Sequence, residues 1–264
     1  MQGANRLPAL GVWGAGIINH SGARLSIRTV FQSQHSKEPP MPDQFPNGLP
    51  LTKLPLNASC RGQIERASGL TMQAVFQQSL YPRGLCYWNV DRLVRNFGGS
   101  MVVGWQHVWW PGRLAVSVHH AIWRKPDGSL VDVTQKEQSD CADGITFSTD
   151  ASVDVDLSWP MFVPNIFLAL SDHRLVGRAV VAFNGQVDAA RQASDYVRLR
   201  SGSFIPGCGL KLATGRMPQR ISANIRRTNK RYQSILRQCG ELPRPHHVDD
   251  LQAARARLIT IPAI

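Results

Sequence analysis

The stretch from Leu114 to Thr134 reads LAVSVHHAIWRKPDGSLVDVT. Leu114, Val116, Val118 and Ile122 alternate along its first half, the period of a strand with one buried face. Lys125-Pro126-Asp127-Gly128 follows as a turn, with proline at the first central position and a glycine able to take positive φ. Ser129 to Thr134 then returns as the partner strand. A three-residue loop at 126–128, closed by a glycine bulge, sets Lys125 opposite Ser129. Ile122 then faces Asp132, and His120 faces Thr134. His120 and Asp132 become diagonal neighbours on one sheet face, about 7–8 Å apart at the backbone and within side-chain reach. His119 points to the other face. A two-residue loop would instead separate His120 from Asp132, so the turn decides the arrangement.

Upstream, Pro82-Arg83-Gly84 is a turn, and CYWNVDRLVRNF (86–97) follows it. Its apolar residues Cys86, Val90, Leu93, Val94 and Phe97 recur with helical spacing, and Gly98-Gly99 ends the pattern. Cys86 therefore opens a helix just after a glycine turn. Met101 to Trp105 reads as a strand. Residues 63–80 read as a helix softened at Gly69, with Leu70, Val75, Phe76 and Leu80 on one face. Residues 135–160 are polar and acidic and read as loop; 160–170 reads as a short apolar strand or helix, and Val176 to Phe183 as a strand. Residues 201–240 hold eight basic residues and no acidic one. Within them Ile221, Ile225, Tyr232, Ile235 and Leu236 outline an amphipathic basic helix.

A thiol enzyme needs a cysteine ionised near neutral pH, a histidine to exchange its proton, and a group that holds the imidazole in one tautomer. A helix N-terminus and an adjacent imidazolium both favour the thiolate. Cys86 at a helix start, His120 on a strand and Asp132 on the next strand supply these parts in order. Gln77, Gln78 and the backbone N–H of Cys86 are candidates for an oxyanion donor. Cys86 with His107, His119 or His120 offers a weaker alternative, a zinc site without standard ligand spacing.

The same residues carry a resemblance. GLCYWNV (84–90) resembles the transglutaminase-core segment in which an aromatic residue closely follows the nucleophilic cysteine. Gly98-Gly99 with Val102-Val103-Gly104-Trp105 resembles the glycine turn and strand that come next. His120-Ala121-Ile122-Trp123 resembles the histidine strand, and Leu130-Val131-Asp132-Val133-Thr134 the aspartate strand, with Val133 where that family usually has proline. The set also resembles a group of uncharacterised bacterial proteins with C-x-N-V, G-W, H-A-V-W and P-D-G-x-L-V-D-V-T segments, some of which end in a zinc-binding tail that this chain lacks. The resemblance spans about 50 of the 264 residues. It implies a papain-like or transglutaminase-like core with Cys86 as nucleophile, His120 as acid–base and Asp132 as orienting group, acting on a protein, peptide or amide substrate without a cofactor or metal.

Composition bounds the rest. The chain carries a formal net charge of +12, a balance that speaks to partners rather than to fold. Residues 211–237 offer a contact to nucleic acid or an acidic surface. No phosphate-binding loop or dinucleotide fingerprint is present. The five cysteines are odd in number and widely spaced, which disfavours a secreted disulfide framework and points to a reducing, cytoplasmic setting. No run is apolar enough for a spanning helix. The acid-free start before Glu38 has the charge of a transit peptide, but Pro8 and the early glycines oppose an amphipathic helix, and Met41 is an alternative start. The expected organisation is an α+β protein: a disordered leader over 1–58, a core over 59–185 with the cysteine helix packed on an antiparallel sheet, and a basic, partly helical extension over 186–264. The competing function is a non-catalytic binding protein on the same fold.

Overall fold

The computed structural model describes residue 46, residues 48–135, 144–206 and 209–242, and the backbone of Arg257–Leu258. The chain divides between Pro39 and Pro40, and every described residue belongs to the unit that begins at Pro40. Its elements are β1 (Thr52–Lys53), α1 (Arg61–Ser68), β2 (Gln73–Tyr81), α2 (Cys86–Phe97), β3 (Ser100–Trp110), β4 (Leu114–Arg124), β5 (Leu130–Thr134), β6 (Gly144–Thr149), β7 (Ile166–Ala169), α3 (Arg174–Leu199), β8 (Ser203–Ile205), β9 (Gly209–Lys211), α4 (Gln219–Gly240) and β10 (Arg257–Leu258). The class is α+β.

The strands run in the order β1-β3-β6-β2-β5-β4-β7-β10, and β3 also pairs with β4. That extra pairing closes β3, β6, β2, β5 and β4 into a five-stranded ring. Val75, Val102, Ile122, Ile145 and Phe147, from four of these strands, form its buried interior, with Leu130 of β5 packed against them. Gly104 of β3 lies directly against β6. A Cβ there would lie 2.0 Å from the Ser148 carbonyl oxygen and 2.8 Å from Phe147 Cζ, so only glycine fits. The sheet is mixed rather than antiparallel throughout, because β2 and β5 pair in parallel. Their long connection, which includes α2, β3 and β4, leaves room for the crossover that parallel strands require.

α2 covers the outside of the ring. Tyr87, Val90 and Leu93 pack on Ala121 and Trp123 of β4 and on Val131 and Val133 of β5. Beyond the ring, the other end of β3–β4 carries two further apolar layers. Val108, Trp110, Leu114, Val116 and Phe167 face α3 and α4, while Trp109, Ala115 and Leu168 face α1 and the β1 segment.

Several expectations need correcting. The helix expected over 63–80 stops at Gly69, and the rest is β2. Its apolar residues fall on both faces, Val75 inward and Phe76 and Leu80 outward, which imitates a helical stripe. β6 lies inside the stretch that reads as loop; Ile145 and Phe147 point inward from it, but acidic neighbours hide their alternation. Val176 to Phe183 belongs to α3 rather than to a strand. Val176, Ala179, Val180 and Phe183 are buried at helical spacing, which a short apolar window does not distinguish from a strand. The expected boundaries also move. Leu49, Leu51 and Leu54 are core residues, so the ordered chain starts well before residue 59. α3 runs through the 185/186 boundary with buried residues on both sides. Proline and glycine content, the usual mark of leaders and linkers, does not register a few leucines that the core takes up.

Among the described residues, no helix is long and apolar enough to cross a membrane.

Candidate active site

The site forms where β4 and β5 separate. The ladder between them pairs Trp123 with Val131 and Arg124 with Leu130. This is the register that a three-residue loop demands, and the Lys125 N–H donates to the Ser129 carbonyl at 2.9 Å to close it. Gly128 takes φ +85°, and the Asp127 carboxylate accepts from the Ser129 N–H and hydroxyl. The opposite end of β4 pairs with β7 over Leu114–Ser117. On that edge, among the described residues, 118–122 has no strand partner, and both His119 and His120 lie there.

His120 and Asp132 meet as the turn dictates. His120 Nε2 lies 3.0 Å from Asp132 Oδ1, with both residues buried. Asp132 also accepts from the Thr134 N–H at 2.9 Å and from Gln77 Nε2 at 3.0 Å. Burial works against a charge on either partner, but their attraction prevails. The Asp132 carboxyl is held below its ordinary range by His120 and by the Thr134 hydrogen bond. His120 is likewise penalised by burial, yet Asp132 and Cys86 together raise it to about 10.

Cys86 completes the line. The Cys86 thiol lies beside His120 and is one of the groups that raise it. Since Nε2 is committed to Asp132, Nδ1 is the nitrogen left for sulfur. Cys86 is the first residue of α2, and the Asn89 amide braces that start by donating to the Pro82 carbonyl at 2.9 Å. Among the described free cysteines Cys86 is half-buried, whereas Cys60 and Cys239 are buried. Burial pushes the Cys60 thiol up to about 11, the environment of an inert structural cysteine.

Gln77 takes a role that the sequence did not assign. Its amide gives one hydrogen to Asp132 and the other to the Thr134 carbonyl at 2.9 Å. With both hydrogens committed, it cannot serve as an oxyanion donor; it orients the carboxylate instead. Gln78 is exposed on β2. The signal for Gln77 is a polar residue at an inward strand position, invisible while the segment reads as a helix.

His119 and His107 are both buried. His119 lies on the opposite face from His120, as the alternation requires, but is fully packed, with Tyr87 Oη 2.6 Å from its Nδ1. His107 is held between Ser117 Oγ at 2.8 Å and Ser148 Oγ at 2.9 Å. Neither is placed as a zinc ligand beside Cys86, and among the described residues no cluster of three His, Cys, Asp or Glu is placed to hold a metal.

No family model matches the chain, and no curated protein or solved structure does either. Three groups nevertheless stand in line: a sulfur at a helix start, an imidazole beside it, and behind the imidazole a carboxylate that also accepts from the Thr134 N–H and the Gln77 amide. Such a line can form a thiolate–imidazolium pair and attack an electrophilic carbon.

Proposed function

We propose that the chain is a thiol-dependent hydrolase or acyl transferase acting on an amide or peptide-like bond, with a papain-like or transglutaminase-like core. The observation that carries this reading is the Cys86–His120–Asp132 line. Cys86 Sγ adds to the carbonyl carbon and the carbonyl oxygen takes the negative charge. The backbone N–H of Cys86, in the first turn of α2, has no partner within the helix and is available to that oxygen. Collapse of the adduct breaks the C–N bond, and His120 delivers the proton to the departing amine. Water or a second amine then attacks the thioester while giving its proton to His120, and the C–S bond breaks to release the Cys86 thiolate, giving hydrolysis or transfer respectively. Asp132 keeps His120 in the tautomer and orientation that this exchange needs. The ordered motifs from Cys86 to Thr134 support the transglutaminase-like reading. The free thiols of Cys60, Cys86 and Cys239 suit a reducing, cytoplasmic setting.

The test is the alkylation rate of Cys86 against pH, followed by mass spectrometry, in the wild type and in His120→Ala. Fast labelling below about pH 7, where an ordinary thiol is mostly protonated, that disappears in the variant is expected. An ordinary thiol profile, identical in both proteins, overturns the proposal.

A second reading has its own support. α4 lays Tyr232, Ile235 and Cys239 against the core that includes α3, which turns Arg226, Arg227, Lys230 and Arg231 outward and exposed. On this reading the chain is a binding protein whose segment 211–237 meets nucleic acid or an acidic partner. Steeply salt-dependent binding that is lost on neutralising those four side chains, and unaffected by Cys86→Ala, would favour it.

A further inference from the structure

The first two residues of α2 meet two consecutive residues of β4. Cys86 reaches His120, and its neighbour Tyr87 reaches His119, which points from the other face of the strand. We propose that the Tyr87–His119 pair is a positioning clamp for the reactive thiol, fixing the start of α2 on β4 so that Cys86 stays in line with His120. The proposal rests on the thiol-enzyme reading.

Cys86 is joined to Tyr87, and His119 to His120, by single peptide bonds. A contact that fixes one pair therefore limits the freedom of the other to a fraction of a helical turn. The contact is tight and dry. Tyr87 Oη and His119 Nδ1 are 2.6 Å apart, and the residues are 6% and 4% exposed. Burial holds the Tyr87 phenol protonated, with the Cys86 charge adding to the effect, so Tyr87 donates. Burial also pushes His119 down to about 4, so its neutral ring accepts at Nδ1. The histidine is backed in turn. The Trp105 ring stands edge-to-face against it at 5.1 Å, and Trp105 Nε1 donates to Asp150 Oδ2 at 2.8 Å. Asp150, Trp105, His119 and Tyr87 thus form a strut that ends one residue from the nucleophile. α2 needs such a strut, since its N-cap is Leu85, which makes no side-chain capping hydrogen bond.

The clamp is tested by following Cys86 alkylation against pH in Tyr87→Phe, His119→Leu and the double variant. Tyr87→Phe keeps the ring and its packing and removes only the hydroxyl. Roughly five- to tenfold slower labelling near pH 6, with a profile moved toward an ordinary thiol, is expected in each single variant. The double variant is expected to be no worse than either, because both changes break one contact. His119→Asn, whose amide oxygen can accept from Tyr87, is expected to recover most of the rate. A merely structural pair would change the melting temperature without moving the pH profile. Single variants that fold and label like the wild type overturn the clamp while leaving the thiol reading intact. If Tyr87→Phe does not fold, a His119→Asn variant that labels no faster than His119→Leu overturns it in the same way. A wild-type Cys86 that already labels as an ordinary thiol removes both.

Discussion

The two faces of β4 treat histidine in opposite ways. On the inward face His120 is buried against Asp132 and is pushed up to about 10. One residue earlier, on the outward face, His119 is buried against a phenol and is pushed down to about 4. His107, farther along that face in β3, sits between two serine hydroxyls and is also pushed down to about 4. Burial is common to all three and on its own disfavours the charged ring. The difference is a carboxylate in direct hydrogen-bonding contact, joined by the Cys86 thiol; Asp150 and Glu65 also pull His119 and His107 upward, but do not offset burial there. A chain that buries histidines among hydroxyls obtains neutral hydrogen-bonding struts; one that adds an aspartate obtains a charged, proton-exchanging group. Which of two adjacent histidines carries the charge therefore depends on which one Asp132 meets.

Removing the carboxylate is the most direct way to break that comparison. Asp132→Ala leaves His120, the Thr134 N–H and the Gln77 amide without their shared acceptor. The expected loss is about 3–5 kcal/mol, the usual cost of removing one partner from a buried ion pair. Urea unfolding at pH 7 checks it. A loss below about 1 kcal/mol would mean that the pair is not charged in the folded protein.

The pH dependence of stability should carry both faces at once, with opposite signs. His120 has a folded value above its ordinary 6.5, so the folded state holds a proton that the unfolded chain releases. Its contribution is fully present below about pH 6.5 and is lost as pH rises toward 10. His107 and His119 have folded values near 4, below 6.5, so the unfolded chain takes protons that the folded one refuses. Their burial costs stability as pH falls from about 6.5 toward 4. Each limb should have a slope on the order of 1 kcal/mol per pH unit per histidine. His120→Gln should flatten the alkaline limb and leave the acid limb standing. The reverse pattern would mean that the two faces have been assigned the wrong way round.

Ser117→Ala probes the neutral face more gently. It removes the hydroxyl at His107 Nδ1 and leaves that nitrogen buried without its partner, an expected cost of about 1–3 kcal/mol. Labelling of Cys86 should not change, because His107 bonds to Ser117 and Ser148 and is no part of the Tyr87–His119 contact or of the Cys86–His120–Asp132 line.

How much of this was legible in the sequence follows from the range of each signal. The β4–β5 hairpin was readable because its information is local: an alternating strand, a Pro-Asp-Gly turn and a short return strand fix a register by themselves. α2 was readable for the same reason, its apolar period running unbroken from Cys86 to Phe97. Together these two segments placed Cys86, His120 and Asp132. What could not be read depends on distant pairing. Gln77 acquires its role from Asp132, 55 residues away, through the parallel pairing of β2 with β5. Tyr87 and His119 are each ordinary in sequence, and their contact exists only once α2 lies on β4. The ring closure is invisible for the same reason, since β6 returns to both β2 and β3 from a stretch whose composition looks like a loop.

The smallest expected effect returns to the turn that decides between the two histidines. Gly128 has φ +85°, and no neighbouring atom lies within 4 Å of the position a Cβ would take, so Gly128→Ala meets only the intrinsic strain of a left-handed backbone. That strain is about 1 kcal/mol. The three-residue loop should survive it, because the Lys125 N–H to Ser129 carbonyl bond does not involve the new side chain. Asp132 would then still meet His120, and the pH profile of Cys86 labelling should match the wild type despite the lower stability. Shortening the loop by one residue is the sharper companion. A one-residue slip carries every side chain of β5 to the opposite face, taking Asp132 from His120 to the side of His119. A shortened variant that folds but retains a fast, His120-dependent Cys86 would show that the register of this turn is not what assigns the carboxylate.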